Sequence, residues 1–183
     1  MTAPTPNPPH TLFCHPGSLC PAVQGLQVQL AVTQDTLHLC YELIGNIAQL
    51  LIPSAQEPRR TDGLWQHTCF ELFVGATGQK NYHEFNFSPS GLWAAYAFSD
   101  YRTPSAATLS PTPQINCHLS DGRLQLCAEI SLADLPAGHT WQLGVSAVIE
   151  RLDQTLSYWA LHHPMPQADF HHRLGFVLPL KPA

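Results

Sequence analysis

The sequence predicts an all-β protein, an antiparallel β-sandwich of jelly-roll or immunoglobulin-like character with about ten or eleven strands. Apolar and polar residues alternate with a period of two through most of the chain, as in residues 26–32. No segment keeps a 3.6-residue period, and most of the 17 prolines fall between the alternating runs. Because each such strand must bury one face, two packed sheets are favoured over one open sheet.

The strands are predicted in chain order from this alternation and from the turn residues that separate the runs. The first two runs, 26–32 and 37–43, flank a turn at Gln34-Asp35. The remaining runs are 47–52, 68–74, 82–88, 91–98, 113–119, 124–130, 141–149, 155–161 and 174–180. Residues 132–135 before Pro136 predict a single helical turn, and residues 103–113 predict a mobile loop. We expect a disordered proline-rich tail over residues 1–10 and one domain over residues 11–183.

Composition and charge exclude several classes of partner. The net charge is −5 and only 11% of the 183 residues are charged, so binding to nucleic acid is not expected. The first residues lack the basic and apolar regions of a signal peptide, and no apolar run approaches the roughly 20 residues needed to cross a bilayer. We therefore predict a cytoplasmic protein without a membrane partner. The six cysteines form no CxxC pair, which predicts reduced and mostly buried thiols.

The segment YHEFNFSPSGLWAAYAF, residues 82–98, raises the question of function because a strand-like pattern carries Glu84, Asn86 and Trp93. A two-residue turn at Pro89-Ser90 would place Trp93 opposite Asn86. A loop over residues 75–80 would place Glu71 opposite Glu84. One face of this three-stranded meander is then predicted to form the core, and it contains Phe70, Leu72, Val74, Phe85, Phe87, Leu92, Ala94, Tyr96 and Phe98. The other face is predicted to carry Glu71, Glu84, Asn86 and Trp93.

Two opposed glutamates repel each other, so we expect something to compensate their charge. The alternatives are a basic side chain, a bound cation, a proton retained on one carboxyl, or a ligand that donates hydroxyl groups. Arg102 is our first choice of basic partner and His171 the second, with Arg151 a further candidate. Aromatic walls beside carboxylate and amide acceptors match the needs of a sugar ring, which offers C–H faces and hydroxyl groups. An ordinary solvated sheet face is the alternative interpretation.

Three stretches carry a resemblance to a known family: DGLWQHTCFELFVG (62–75), YHEFNFSPSGLWAAYAFSDYR (82–102) and SYWALHHPMPQADFHHRLGF (157–176). Together they resemble the DOMON-like domains of bacterial proteins, in the branch related to family 9 carbohydrate-binding modules. The resemblance covers most of the chain. It implies a β-sandwich that binds sugar or haem and has no established catalytic activity.

The resemblance also implies the form of the site. In the carbohydrate-binding relatives two aromatic rings sandwich a terminal sugar, often with structural calcium nearby. Glu71 matches the acidic position of the relatives' corresponding strand, and Asn86 and Gly91 match the strand and turn that follow. The candidates for the stacking rings are Trp65, Trp93 and Trp159.

These observations favour non-catalytic binding of a small ligand, a saccharide or related polyol. The predicted ligand-binding residues are Trp65, Glu71, Glu84, Asn86, Trp93, Arg102, Trp159 and His171. No cofactor is predicted to be required, with calcium and haem as candidate ligands. A protein–protein interaction module that uses the same aromatic face is the rival function.

Two further groups of residues in the sequence bear on function. His162, His163, His171 and His172 lie close together in HHPMPQADFHH and resemble a metal-ligand cluster, and Met165 is the only internal methionine available to haem. Hydrogen bonds from these histidines to loop carbonyls and to the carboxylates are the favoured interpretation. Opposed carboxylates about 5 Å apart would also suit a retaining glycosidase, but a regular sheet without an evident cleft disfavours catalysis.

Overall fold

The structure is a computed structural model that describes residues 8–107, 109–138 and 140–181. It confirms the predicted all-β sandwich, and twelve strands lie in the described residues. They are β1 (His10–Cys14), β2 (Val23–Val32), β3 (Thr36–Gly45), β4 (Cys69–Ala76), β5 (Tyr82–Phe87), β6 (Trp93–Asp100), β7 (Thr103–Pro104), β8 (Gln114–Ser120), β9 (Arg123–Ser131), β10 (Trp141–Glu150), β11 (Leu156–Ala160) and β12 (Leu178–Leu180).

Short 3-10 helices form the regular structure between strands in the described part of the chain. They span Pro16–Ser18, Ile47–Gln49, Leu64–Gln66, Leu132–Asp134 and Arg173–Gly175. The single turn predicted before Pro136 is therefore confirmed. None of the helices in the described residues is long and apolar enough to cross a membrane.

The strands form two antiparallel layers that β1 links. The first layer has the order β1-β2-β3-β9-β8, and the second has the order β1-β11-β10-β4-β5-β6-β7, with β12 paired to β10. The first half of β1 pairs with β2, while Phe13 and Cys14 pair with β11. One strand thus passes from one layer to the other.

The apolar faces of the two layers meet in one large core. Leucines of β2, β3 and β9 pack against residues of β4, β5 and β10, including Phe70, Leu72, Phe85 and Phe87. Tyr41 of β3 crosses this interface, and its hydroxyl donates a 2.9 Å hydrogen bond to the main-chain carbonyl of Glu71. The core therefore holds β4 firmly against the opposite layer.

Four predicted segments differ from the observed elements, and one is the loop predicted over residues 103–113, whose first two residues form the short strand β7. Strand β1 begins at His10, inside the predicted tail, and residues 1–7 of that tail lie outside the described residues. Residues 47–52 do not form a strand, because Gln49 and Leu50 donate local hydrogen bonds to the carbonyls of Asn46 and Ile47. The predicted strand 174–180 is limited to Leu178–Leu180, since a 3-10 helix occupies its beginning.

The largest correction concerns the register of β6. The loop after β5 has three central residues, Pro89 to Gly91, and is closed by a 2.9 Å hydrogen bond from Ser88 N–H to the Leu92 carbonyl. Gly91 has a φ of 88°, the left-handed conformation that this longer turn requires and glycine adopts readily. One extra loop residue shifts the register by one and turns every β6 side chain to the other face.

As a result Trp93 lies opposite Phe87 and packs against the core. Tyr96 and Phe98, predicted in the core, lie on the outer face instead. Both predictions were wrong for the same reason, the length of one turn.

The register of β4 against β5 also differs, by two residues. Glu71 pairs with Asn86 and Glu84 pairs with Phe73, so the two glutamates are diagonal neighbours rather than directly opposed. A shift of two preserves the faces, and both glutamates lie on the predicted outer face. The carboxylate separation of about 5 Å that would suit a glycosidase was argued from direct opposition of Glu71 and Glu84, so that argument no longer applies.

One disulfide departs from the expectation of six reduced thiols. Cys40 on β3 and Cys127 on β9 are directly paired and are joined as a disulfide. Cys14, Cys20, Cys69 and Cys117 are free cysteines. The two strands so linked lie in the layer remote from Glu71 and Glu84.

Candidate functional site

The outer face of the second layer is covered by chain segments rather than left to solvent. The turn at Leu64–Gln66 covers one part, and residues 168–176 cover another. Phe176 packs on Phe73 and Tyr82, with ring centroids 5.8 and 5.7 Å away. Because both faces of β4 are covered, all eight of its residues are buried.

Between these covering segments lies a cavity of about 900 Å³. Its size is suited to a small organic ligand. Trp65 is the most exposed of its aromatic rings, at 51%. The aromatic side chains that line the cavity are Trp65, Phe73, Tyr96, Phe98, Tyr158 and Phe170.

Charged and titratable groups line the same cavity. Two carboxyls lie at the buried end of the cavity, Glu71 at 2% exposure and Glu84 at 5%. The two arginines of the lining, Arg60 and Arg102, are exposed. The polar side chains in the lining include Arg60, Asp62, Glu71, Glu84, Arg102 and His171. Five of the predicted site residues, Trp65, Glu71, Glu84, Arg102 and His171, are therefore brought together.

Glu71 is held by β10 from the adjacent position. Ser146 pairs directly with Glu71, and its hydroxyl donates a 3.1 Å hydrogen bond to Glu71 Oε2. Burial raises the pKa of Glu71 well above its ordinary value and the charge of Glu84 raises it further, while the bond from Ser146 lowers it. This carboxyl therefore tends to retain a proton.

Glu84 is in a similar state. Asn86 Nδ2 donates a 2.8 Å hydrogen bond to Glu84 Oε1. Burial raises the pKa of Glu84 to about 7, against the lowering effects of the Asn86 bond and the Arg102 charge. Asn86 is fully buried beside it, and its Oδ1 has no hydrogen-bond partner among the described residues.

His171 lies nearest to the carboxyls, with Nε2 3.7 Å from Glu84 Oε2. Its Nδ1 is 2.8 Å from the Tyr82 hydroxyl, whose oxygen accepts a bond from Arg102 N–H. We assign the Tyr82 O–H as the donor to Nδ1, which places the imidazole proton on Nε2. Burial and the charge of Arg102 lower the pKa of His171 to about 4, so the ring is neutral at pH 7 and does not form an ion pair with Glu84.

The first choice of charge partner, Arg102, pairs elsewhere. Its Nη2 lies 2.9 Å from Asp169 Oδ1, and Asp169 also accepts a 2.8 Å bond from Tyr101. Arg151, the further candidate, pairs with Asp153. The second choice, His171, is the residue found beside Glu84, but as a neutral ring. A proton retained on the carboxyls, one of the predicted alternatives, fits the buried pair best.

Two of the predicted stacking tryptophans lie outside the cavity. Trp93 belongs to the core side of β6, as described above. Trp159 is buried in the core, with Nε1 donating to Ser157 Oγ at 3.0 Å. Its neighbour Tyr158 faces the cavity, because successive side chains of a strand point to opposite faces.

The other lining residues were missed by the sequence interpretation. Arg60 and Asp62 form a 3.0 Å ion pair, and Asp62 accepts a 2.9 Å bond from the Tyr96 hydroxyl. Phe170 lies in the covering segment. Arg60 and Asp62 lie in an irregular stretch that offers no periodic signal. Tyr158 and Tyr96 could have been predicted by assigning the opposite faces of β11 and β6 to the site, because side chains alternate between the two faces of a strand.

The four histidines of the HHPMPQADFHH segment separate in the structure. His163 Nε2 contacts the carbonyl of Phe13 at 2.8 Å, and His172 Nδ1 accepts a bond from Leu174 N–H. This agrees with the favoured interpretation of histidines bonded to loop groups. In the described residues no group of three or more His, Cys, Asp or Glu side chains is placed to hold a metal ion.

Comparisons with known proteins give a fold-level likeness. No protein-family model matches the chain, and no curated protein matches it in sequence. A family 9 carbohydrate-binding module from Caldicellulosiruptor kristjanssonii, solved in complex with glucose, has a TM-score of 0.58 and 10% identity over 86% of this chain and 75% of that one. The same description, in complex with cellotriose, applies to a structure with a TM-score of 0.56 and 10% identity over 86% of this chain and 74% of that one.

A third similar structure comes from Bacteroides uniformis ATCC 8492 and is described as a "putative carbohydrate-binding protein". Its TM-score is 0.62, with 13% identity over 95% of this chain and 85% of that one. At these identities the comparisons establish a shared β-sandwich fold.

Proposed function

We propose that this protein binds a saccharide, without chemical conversion, in the cavity on the outer face of the second layer. The observation that carries the proposal is the combination of aromatic walls with buried carboxyls in one cavity of about 900 Å³. Aromatic rings contact the C–H faces of a sugar, and carboxyl and amide groups bond its hydroxyls. The fold shared with modules solved with glucose and cellotriose supports this proposal.

The finer assignments accompany it as predictions. They are membership of the DOMON-like branch, a single domain over residues 11–183, a cytoplasmic location, and binding without a required cofactor. Among the predicted ligand-binding residues, we keep Trp65, Glu71, Glu84, Arg102 and His171 as direct contacts. Asn86 acts through its hydrogen bond to Glu84.

The test is calorimetric titration with a panel of mono- and disaccharides, together with the substitution Trp65→Ala. Trp65 is half exposed at the cavity, so its ring is available to a ligand and its loss should leave the core intact. We expect Trp65→Ala to weaken binding by about tenfold to a hundredfold, the effect of losing an aromatic contact at a binding site. Phe13→Ala is the matched control, because Phe13 is an exposed aromatic residue outside this cavity.

A folded protein that shows no saturable heat with any saccharide at millimolar concentration would contradict the proposal. The rival function, a protein–protein interaction module using this aromatic face, would then be preferred. If Trp65→Ala and Phe13→Ala changed the saccharide affinity equally, the assignment of binding to this cavity would be contradicted.

A further inference from the structure

The interior of the cavity contains two carboxyls without a cationic partner in the described residues. The two arginines of the lining are neutralised by other acids, Arg60 by Asp62 and Arg102 by Asp169. The nearest basic side chain, His171, is a neutral ring. Glu71 is buried and lines the cavity, and among the described residues only its Oε2 accepts a side-chain hydrogen bond. An acceptor oxygen is therefore left for a ligand.

Aromatic rings surround these carboxyls. Phe98 and Phe73 each lie with their centroids 5.1 Å from that of His171, next to Glu84. Tyr96 and Phe98 project from the strand adjacent to Glu84, where Tyr96 is its direct partner. Faces of aromatic rings attract cations, and carboxylates form their strongest hydrogen bonds with charged donors. Both features favour a ligand that carries a positive charge.

The other ligand chemistries fit less well. A neutral sugar would bond the protonated carboxyls through its hydroxyls, but it would give no counter-charge to the fraction of Glu84 that ionises near pH 7. An acidic sugar would meet two carboxyls and two arginines that are already paired. A bare metal ion would require more acidic or imidazole ligands than the described residues bring together.

We propose that the saccharide bound in this cavity is an amino sugar, whose primary ammonium group lies between Glu71 and Glu84 while its ring contacts the aromatic walls. This inference rests on the proposed saccharide function and specifies its substrate class. The ammonium offers three donors, which suits the free oxygen of Glu71 and the carboxyl of Glu84. It also provides a counter-charge when a carboxyl gives up its proton, which no described side chain beside the pair supplies.

Binding of the ammonium is coupled to proton release. Burial raises the pKa of both carboxyls, so part of the pair is protonated at neutral pH, and only the ionised form attracts a cation. The amine of a 2-amino sugar loses its own proton at about pH 7.7–8, as an α-amino group does. Affinity for the amino sugar should therefore rise as the pH increases towards about 7 and fall again above about 8. Below pH 7, where the amine is already charged, each binding event should release protons from the carboxyls to the buffer.

The groups that face the pair do not reverse this sign. Burial raises the pKa of the surrounding tyrosines and thiol, so they remain neutral in the same range; they are Tyr41, Cys69, Tyr82 and Tyr96. His171, with its pKa of about 4, is neutral throughout. The ion pairs Arg60–Asp62 and Arg102–Asp169 remain at the cavity and contribute no net change.

The experiment compares matched sugars by calorimetry at pH 6.5, where the amine is charged and the carboxyls still hold protons to release. Glucosamine, galactosamine and mannosamine are each titrated beside the parent hexose and the N-acetyl derivative, which keeps the ring and removes the charge. At least one amino sugar is expected to bind about tenfold or more tightly than both of its neutral counterparts, the effect of one charge-assisted hydrogen bond. Its binding heat should also depend on the ionisation enthalpy of the buffer, which reports the proton release.

Variants test the assignment to the two carboxyls. Glu84→Gln should reduce the preference for the amino sugar over its N-acetyl derivative, and Glu71→Gln with Glu84→Gln should abolish both the preference and the proton release. Glu57→Gln, an exposed glutamate outside the cavity, is the control and should change neither. Melting curves check that each variant is folded, and Glu84→Gln alone still tests the assignment if the double variant does not fold.

The outcomes separate the two proposals. A neutral hexose that binds as tightly as its amino counterpart would overturn the amino-sugar assignment and leave the saccharide function standing. Absence of binding by every sugar would overturn both. Equally tight binding of cyclohexylamine, which has an ammonium group but no hydroxyls, would also overturn the amino-sugar proposal.

Discussion

At the scale of single residues, Glu84 and His171 show how burial decides the charge state of neighbouring groups. Burial raises the pKa of the Glu84 carboxyl to about 7 and, with the charge of Arg102, lowers that of His171 to about 4. Both side chains are therefore shifted towards their neutral forms, as expected for groups removed from water. The attraction that an ionised pair would have at 3.7 Å does not operate at pH 7.

This state makes the stability of the protein depend on pH in a defined direction. The ordinary pKa of a glutamate is 4.5, and a folded-state value of about 7 means that the folded protein holds the proton more tightly. The contribution of Glu84 to stability is therefore fully present below pH 4.5 and is lost as the pH rises through about 7.

Glu84→Gln removes the cost of ionisation while it keeps the shape of the side chain. We expect the variant to be more stable than the parent protein by about 2–3 kcal/mol at pH 8.5, with little gain at pH 4.5. Urea unfolding at the two pH values measures this, and the contribution of His171 largely cancels because both proteins retain it. An equal effect at both pH values would show that Glu84 is not held neutral, and Glu57→Gln serves as the exposed control.

At the scale of elements, the sequence predicts strands and faces better than it predicts registers. The alternation in β4 and β5 correctly separated Glu71, Glu84 and Asn86 from Phe85 and Phe87, because side-chain direction within a strand has a fixed period. Between strands the register depends on the turn. A single additional loop residue before β6 reversed the predicted positions of Trp93 and Tyr96.

The position of Gly91 was the available signal for that longer turn. A three-residue hairpin loop ends with a residue in the left-handed conformation, which glycine adopts without steric cost. In SPSG the glycine is the fourth residue, which is compatible with this loop and less so with a two-residue turn over Pro89 and Ser90. The face of β6 could therefore have been predicted, whereas the shift of β4 against β5 had no such marker.

Strand β10 provides the space in which the covering segment packs. Gly144 lies beneath the Phe176 ring, and a Cβ atom at this position would lie 2.8 Å from a ring carbon. Phe176 is buried and contacts the rings of Phe73 and Tyr82, so it cannot move aside freely. The absence of a side chain at Gly144 thus permits the segment to pack on this face.

Gly144→Ala is expected to destabilise the protein by about 1–3 kcal/mol, the usual effect of overpacking a filled interior. Denaturant unfolding measures the change. Gly25→Ala is the matched control, because a Cβ at Gly25 in β2 would meet no atom within 4 Å. If both substitutions had the same small effect, the close packing of Phe176 over β10 would be contradicted.

At the scale of the whole molecule, the core between the two layers and the cavity on the second layer are formed in different ways. The apolar core between them could be predicted from local alternation, since each strand carries its own apolar face. The cavity could not be predicted in this way, because its walls come from residues far apart in the chain. They are Arg60 and Trp65 before β4, Tyr96 and Phe98 on β6, and residues 168–171 after β11. Only the packing of the complete chain brings these segments over Glu71 and Glu84.

This arrangement predicts where a bound ligand should slow hydrogen exchange. With the saccharide that gives the largest binding heat, we expect protection in residues 60–66, 96–102 and 168–171, which border the cavity. Strand β8 is an edge strand of the opposite layer with many exposed residues, so its amides exchange by local opening that a distant ligand does not suppress. Hydrogen exchange followed by mass spectrometry measures both regions in one experiment.

A second cavity is lined by Phe13, His15, His163 and Met165. Protection confined to that cavity would instead assign the binding site to the adjacent end of β1. The comparison is informative because the two cavities use separate parts of the C-terminal segment. Residues 161–166 line the second cavity and residues 168–171 line the first. A ligand held by Glu71 and Glu84 should therefore slow exchange most strongly from Ala168 onwards, with a smaller effect between Leu161 and Pro166.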